Sequence, residues 1–218
     1  MFLRVFGLGL LALCLSACAG GGSDKTSVFK DAIDYASISS FDTGCQEEKV
    51  RKVKYFQCKD SRALYEAAFD KAKAQGKPLM VTFGFNTCPY CLKLDKEIYD
   101  TENPVTGDRV KQYLSREAAA ALGELEVLTL RLHARSEHGL RLADELGVTQ
   151  MAQSRGWHRV WSPFVVFVNP QSGAMASESL WEAETVYCDW AANIAVSLEK
   201  NGTVKRGRPQ APRKRCPK

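Results

Sequence analysis

Two cysteines separated by two residues, Cys88-Pro89-Tyr90-Cys91, carry the chemistry most readily read from this sequence. A pair at this spacing can close into a disulfide and reopen, exchanging two electrons with another dithiol. Just before it, residues 79–85 form a short apolar run bounded by Pro78 and Asn86, which predicts a buried central strand. Just after Cys88, Pro89 fits the first turn of a helix carrying Leu92, Leu94 and Ile98. Cys88 then falls at the helix N-terminus, where unpaired N–H groups and the macrodipole favour its thiolate. The roles divide accordingly. Cys88 is the nucleophile, and Cys91, one turn later, is the resolving thiol that attacks the mixed disulfide. Pro89 removes one backbone donor and presets the helical φ, which holds the two sulfurs in place. The expected redox group is the Cys88–Cys91 disulfide itself, with no separate cofactor.

A CxxC is also half of a zinc site. Cys45 and Cys58 are not spaced as a second half, and His133, His138 and His158 show no ligand spacing, so no metal is expected. No Ser-His-Asp or phosphate-loop pattern competes, since Gly20-Gly21-Gly22 does not stand between a strand and a helix.

The compartment follows from the N-terminus. Arg4 precedes an apolar stretch, Val5 to Leu15, too short to span a bilayer comfortably, and the small residues Ser16 and Ala17 follow. Leu15-Ser16-Ala17-Cys18 resembles a bacterial lipobox, which implies a signal over 1–17 and lipidation of Cys18. Ordinary cleavage after Ala19 is the alternative, because Ala17 and Ala19 also satisfy the small-x-small rule. Residues 18–23 read as a flexible tether, and Ala19 after the lipidated cysteine leans towards the outer membrane by resemblance to enterobacterial sorting. The expected location is the periplasmic face of a bacterial envelope.

Of the eight cysteines, Cys14 leaves with the signal and Cys18 is lipidated, so six remain where disulfides persist. Cys45 and Cys58 are local neighbours and the best candidates for a structural bridge. A loop this short gives roughly 2–3 kcal/mol on the chain-entropy model. Cys188 and Cys216 are left as a possible second pair. The formal charge of +5 is concentrated near the end, where Lys205 to Lys218 is rich in Lys, Arg, Gly and Pro. That tail, 203–218, reads as a solvated extension, and no nucleic-acid partner is expected.

The elements that must position the dithiol follow from pattern. Residues 24–60 read as an N-terminal extension with little periodicity apart from Val50, Val53 and Tyr55. Asp60 or Ser61 can cap a helix to Gln75, with Leu64, Ala68 and Ala72 in register and Gly76 ending it. A helical stretch over 108–122 is interrupted near Ser115, and Glu126 to Leu132 is the next strand. His138 to Leu146 reads as a helix, and 149–161 as an irregular segment holding Trp157 and Trp161. Residues 163–168 form a strand, 169–173 a turn, 174–181 a returning strand and 185–200 the closing helix. The order β-α-(α)-β-α-β-β-α is an α/β layer sandwich.

Strand, Cys-Pro-Tyr-Cys, helix and a later strand opening on Pro163 together resemble the thioredoxin superfamily over residues 61–202. Pro-Tyr is the dipeptide familiar from glutaredoxins. Residues 142–148 look like the helix end before the family's cis-proline strand, and Ser162-Pro163 matches the cis-proline position. The resemblance implies a thioredoxin-like three-layer sandwich with a central mixed sheet. It also implies a cis peptide at Pro163 that packs against the dithiol and offers backbone to an extended substrate. Three departures matter. The buried acid of thioredoxins falls at Thr82, so proton traffic at Cys91 must run through water or Lys77. Ser162 replaces the Val of glutathione-dependent glutaredoxins, and their Gly-Gly-x-x-Asp patch is missing, which argues against glutathione. An insertion before Pro163 brings Trp157, His158 and Trp161, which either line the rim of the substrate groove or cover the core edge.

The expected function is thiol–disulfide exchange with cysteine-containing envelope proteins, coupled to a membrane electron donor or acceptor. A lipid-tethered binding or assembly module without turnover is the second reading, since fold does not fix function. A metal carrier is the third, although a copper chaperone of this fold would want CxxxC.

Overall fold

In chain order the elements are β1 (Phe29–Asp31), α1 (Ser61–Gln75), β2 (Leu79–Gly84), α2 (Pro89–Tyr99), α3 (Arg116–Ala121), β3 (Val127–His133), α4 (Glu137–Glu145), α5 (Val148–Gln153), β4 (Phe164–Val168), β5 (Met175–Ala176) and α6 (Trp190–Lys200). They come from a computed structural model that describes residues 29–210, apart from 36–40, 48, 51–52, 100–109, 111, 122–125, 159, 161 and 178–189. The signal, Cys18, the tether, Trp161, Cys188, Cys216 and the end of the tail lie outside the described residues.

The strands assemble in the order β1-β3-β2-β4-β5. β1, β3 and β2 run parallel, while β4 is antiparallel to β2 and β5 to β4. β2 therefore lies at the centre of a mixed sheet, and all six of its residues are buried. Its alternation explains why. Leu79, Val81 and Phe83 pack with Leu64 and Ala68 of α1, Leu142 of α4 and Val148 of α5. Met80 packs on the opposite face with Leu94 of α2, Ala118 of α3 and Ile194 and Leu198 of α6. A strand covered on both faces needs apolar residues at successive positions, hence the unbroken run. The expected three-layer α/β sandwich with a central mixed sheet is what forms.

Local chemistry sets the element ends. The Asp60 carboxylate accepts from the N–H groups of Arg62 and Ala63 and caps α1. Gly76 ends that helix in the left-handed conformation (φ 64°), which glycine adopts without a Cβ penalty. Ser115 interrupts the expected 108–122 helix, and its Oγ accepts the Ala118 N–H at 3.1 Å at the head of α3.

Three expectations need correction. The segment 24–60 is not wholly outside the sheet, because β1 pairs with β3 from Phe29 against Val127 to Asp31 against Thr129. With three residues and only Phe29 buried, it shows no periodicity to read. The irregular segment 149–161 contains most of α5, started by Gly147 in the left-handed conformation without a side-chain cap. Finally, the basic tail does not leave the body at residue 203. Val204 is buried in the α2–α3–α6 core, and the Gln210 N–H reaches the Leu114 carbonyl at 3.1 Å. Among the described residues no helix is long and apolar enough to cross a membrane.

Candidate active site

β2 ends at Gly84, and the chain turns through residues 85–87 into α2. The Cys88 N–H donates to the Phe85 carbonyl at 3.1 Å, and the Cys88 carbonyl accepts the Leu92 N–H at 3.1 Å. Cys88 thus stands immediately before the first helical residue, Pro89. Its sulfur accepts the Cys91 N–H at 3.1 Å, one of the amides that a helix start leaves without a backbone partner. The two cysteines are joined as a disulfide with Cα atoms 5.2 Å apart. Cys88 is 2% exposed and Cys91 fully buried, so only the first has a route to a partner. Together the helix end and the directed N–H favour negative charge on Cys88 once the pair is reduced.

Across from the dithiol, the Ser162–Pro163 peptide is cis. The Ser162 carbonyl oxygen lies 3.5 Å from Cys88 Sγ. A cavity of about 480 Å³ opens here, lined by Phe85, Cys88, Tyr90, Arg135, Leu140 and Ser162 among others. Tyr90 and Leu140 remain 44% and 47% exposed, which gives the cavity an apolar rim. The Arg135 guanidinium sits 3.5 Å from the centre of the Phe85 ring, a cation–π contact at the same rim.

Trp157 is not on this wall. Its ring meets Phe164 edge-on at 5.9 Å and packs on the sheet core, so it covers the core edge. His158 is exposed. Lys77 is likewise not at the dithiol: it precedes the opposite end of β2 and pairs with Glu126 at 2.6 Å. Among the described residues no three His, Cys, Asp or Glu side chains gather as a metal-ion site.

Cys45 and Cys58 form a disulfide with Cα atoms 5.3 Å apart. The Glu47 carboxylate accepts from the N–H groups of Gln57 and Cys58, both at 2.9 Å, and closes the same loop. The loop delivers residues that sequence reasoning missed. Tyr55 is fully buried and packs directly with Cys88 and Cys91. Its hydroxyl donates to Asp95 Oδ1 at 3.5 Å, and Lys54 Nζ lies 3.0 Å from Asp95 Oδ2. Arg131 of β3, in register with Thr82, reaches Asp95 at 3.8 Å. Burial holds the Asp95 carboxyl above its ordinary range, while Arg131 and then Lys54 pull it back down. The only signal for Asp95 was its position one turn after Cys91.

A family model described as a thioredoxin-like domain matches residues 65–175. None of the curated proteins matches the chain. Among solved structures it is similar to a disulphide isomerase from Xylella fastidiosa Temecula1, 22% identical over 58% of this chain and 79% of that one, with a TM-score of 0.39. It is also similar to a DsbH oxidoreductase, 18% identical over 61% of this chain and 78% of that one, with a TM-score of 0.28.

Proposed function

The chain belongs to the thioredoxin-like domain family, and on that premise we propose that it is an exported thiol–disulfide oxidoreductase acting on cysteine-containing envelope proteins. One observation carries the reading: Cys88 Sγ stands at the start of α2, takes the Cys91 N–H, and faces the Ser162 carbonyl at the mouth of a cavity.

With the pair reduced, the Cys88 thiolate attacks a client disulfide, and one client sulfur leaves as a thiolate. Cys91 then attacks Cys88 Sγ, closing the Cys88–Cys91 bond and releasing the second client sulfur. The client gains two electrons and the dithiol loses two; run backwards, the same steps oxidise a client. In this reading the Ser162-Pro163 backbone, whose Ser162 carbonyl lies 3.5 Å from Cys88 Sγ, holds an extended client segment beside Cys88. The lipobox-like segment supports a lipid tether through Cys18 on the periplasmic face, and turnover then needs a membrane electron donor or acceptor.

The test is direct. Cys88→Ser should abolish exchange with a peptide disulfide, and Cys91→Ser should accumulate mixed disulfides with envelope proteins. Exchange rates unchanged in both variants would leave the tethered binding module as the better account.

A further inference from the structure

Cys91 has to lose a proton before it can attack, yet it is fully buried. The interior position of β2 where thioredoxins keep a carboxyl is Thr82. A carboxyl reaches the interior from another element. Asp95 lies one turn after Cys91 on the same face of α2, with its side chain 3% exposed. Tyr55 spans the two, its ring packed with the cysteines and its hydroxyl on Asp95. The charged groups acting on this carboxyl among the described residues are Arg131 from β3, Lys54 from the extension and the Asp31 carboxylate of β1; Arg131 also pairs with Asp31 at 2.8 Å and lies over the Tyr35 ring. Lys54 and Tyr55 precede the residues 65–175 that the family model matches, whereas Asp95 and Arg131 lie within them, so the extension supplies one side of the arrangement.

We propose that Asp95 receives the proton of the Cys91 thiol, and that Lys54 and Tyr55, carried on the Cys45–Cys58 loop, are the positioning residues that hold it in that role. The inference rests on the dithiol reading above. In the resolving step the Cys91 S–H proton passes to the Asp95 carboxylate, and the sulfur's electron pair forms the bond to Cys88. The Cys88–client bond breaks, and the client sulfur leaves with the electron pair of that broken bond and takes a proton from water. In the reverse direction the carboxyl returns its proton to the Cys91 thiolate as it is displaced.

The experiment follows decay of a mixed disulfide between Cys88 and a small aromatic thiol, in the full chain, by stopped flow across pH. Asp95→Asn should slow resolution at least tenfold and remove the limb of the pH profile set by the carboxyl, whereas Asp95→Glu should restore most of the rate. Lys54→Gln should move that limb to higher pH, because the carboxyl loses a neighbouring cation. Should Asp95→Asn not fold, the Lys54→Gln profile carries the test. An unchanged rate in Asp95→Asn, a uniform slowing that leaves the profile's shape intact, or an unmoved limb in Lys54→Gln overturns the proposal. Formation of the mixed disulfide by Cys91→Ser separates the two readings: if it fails, the oxidoreductase reading fails; if it proceeds while Asp95→Asn behaves as wild type, only Asp95's role does.

Discussion

The side-chain amide of Asn86 clasps the backbone of Tyr55 from both sides. Its Oδ1 accepts the Tyr55 N–H at 2.9 Å and its Nδ2 donates to the Tyr55 carbonyl at 2.8 Å. The same Oδ1 takes the Lys54 N–H at 2.8 Å. One buried residue in the turn before Cys88 thus fixes the extension against the dithiol. Asn86→Ala would remove these three hydrogen bonds, at about 1–3 kcal/mol for each backbone group that water cannot reach. We expect a loss on the order of 2–4 kcal/mol in urea unfolding with both disulfides intact.

Gly84 makes a second, steric demand on Tyr55. A Cβ at position 84 would meet the Tyr55 ring at 2.5 Å, closer than real contacts allow. Gly84→Ala must therefore move the Tyr55 ring or displace the end of β2. Overpacking of this kind lowers stability by about 1–3 kcal/mol. Thermal unfolding should report that loss, and near-ultraviolet circular dichroism should report the displaced tyrosine.

What was legible in the sequence was whatever a local pattern encodes. The run at 79–85, Pro89 and the CxxC spacing identify a strand, a turn and a helix within a dozen residues, and the family match over 65–175 agrees with that stretch. Asp60 and Gly76 marked the ends of α1 by their own side-chain and backbone chemistry. Hidden were features whose partners are distant in sequence. Asn86 and Tyr55 are 31 residues apart, and Tyr55 and Asp95 are 40 apart. No local signal distinguishes a tyrosine aimed at a buried carboxyl from one lying on a surface. β1 is three residues long, too short for alternation to show, and it is defined by its pairing with β3. Trp157 was ambiguous because either a core edge or a groove rim suits an indole, and its contact with Phe164 decides for the core edge.

The rim of the cavity should discriminate between protein clients and small disulfides. Leu140 and Tyr90 are large apolar residues left about half exposed beside Cys88. Covering half of a leucine contributes about 1 kcal/mol, roughly fivefold in affinity. Leu140→Ser should therefore raise KM for a peptide disulfide about fivefold while exchange with a small-molecule disulfide stays at the wild-type rate. Equal slowing of both substrates would place the peptide elsewhere on the surface.

Two carboxyls should shape stability against pH in opposite senses. Hydrogen bonds from Lys30 and Lys77 hold Glu126 below its ordinary value of 4.5. The folded state therefore binds that proton less readily than the unfolded chain. Its contribution is fully present above the ordinary value and is lost as pH falls through the depressed one. Because Glu126 is near the surface, the effect is small and screened by salt. Asp95 is held above its ordinary value of 3.8, mainly by burial, so the folded state binds its proton more readily. Its contribution is greatest below the ordinary value and is lost as pH rises through the elevated one. Urea midpoints measured from acid to neutral pH check both signs. Relative to wild type, Glu126→Gln should lose its disadvantage as the solution becomes acidic. Asp95→Asn should compare worst with wild type in acid and improve as pH climbs past the carboxyl's folded value. A wild-type-minus-Asp95→Asn difference that grows with pH would mean that the ion pairs with Lys54 and Arg131 outweigh burial, and that Asp95 stays charged throughout.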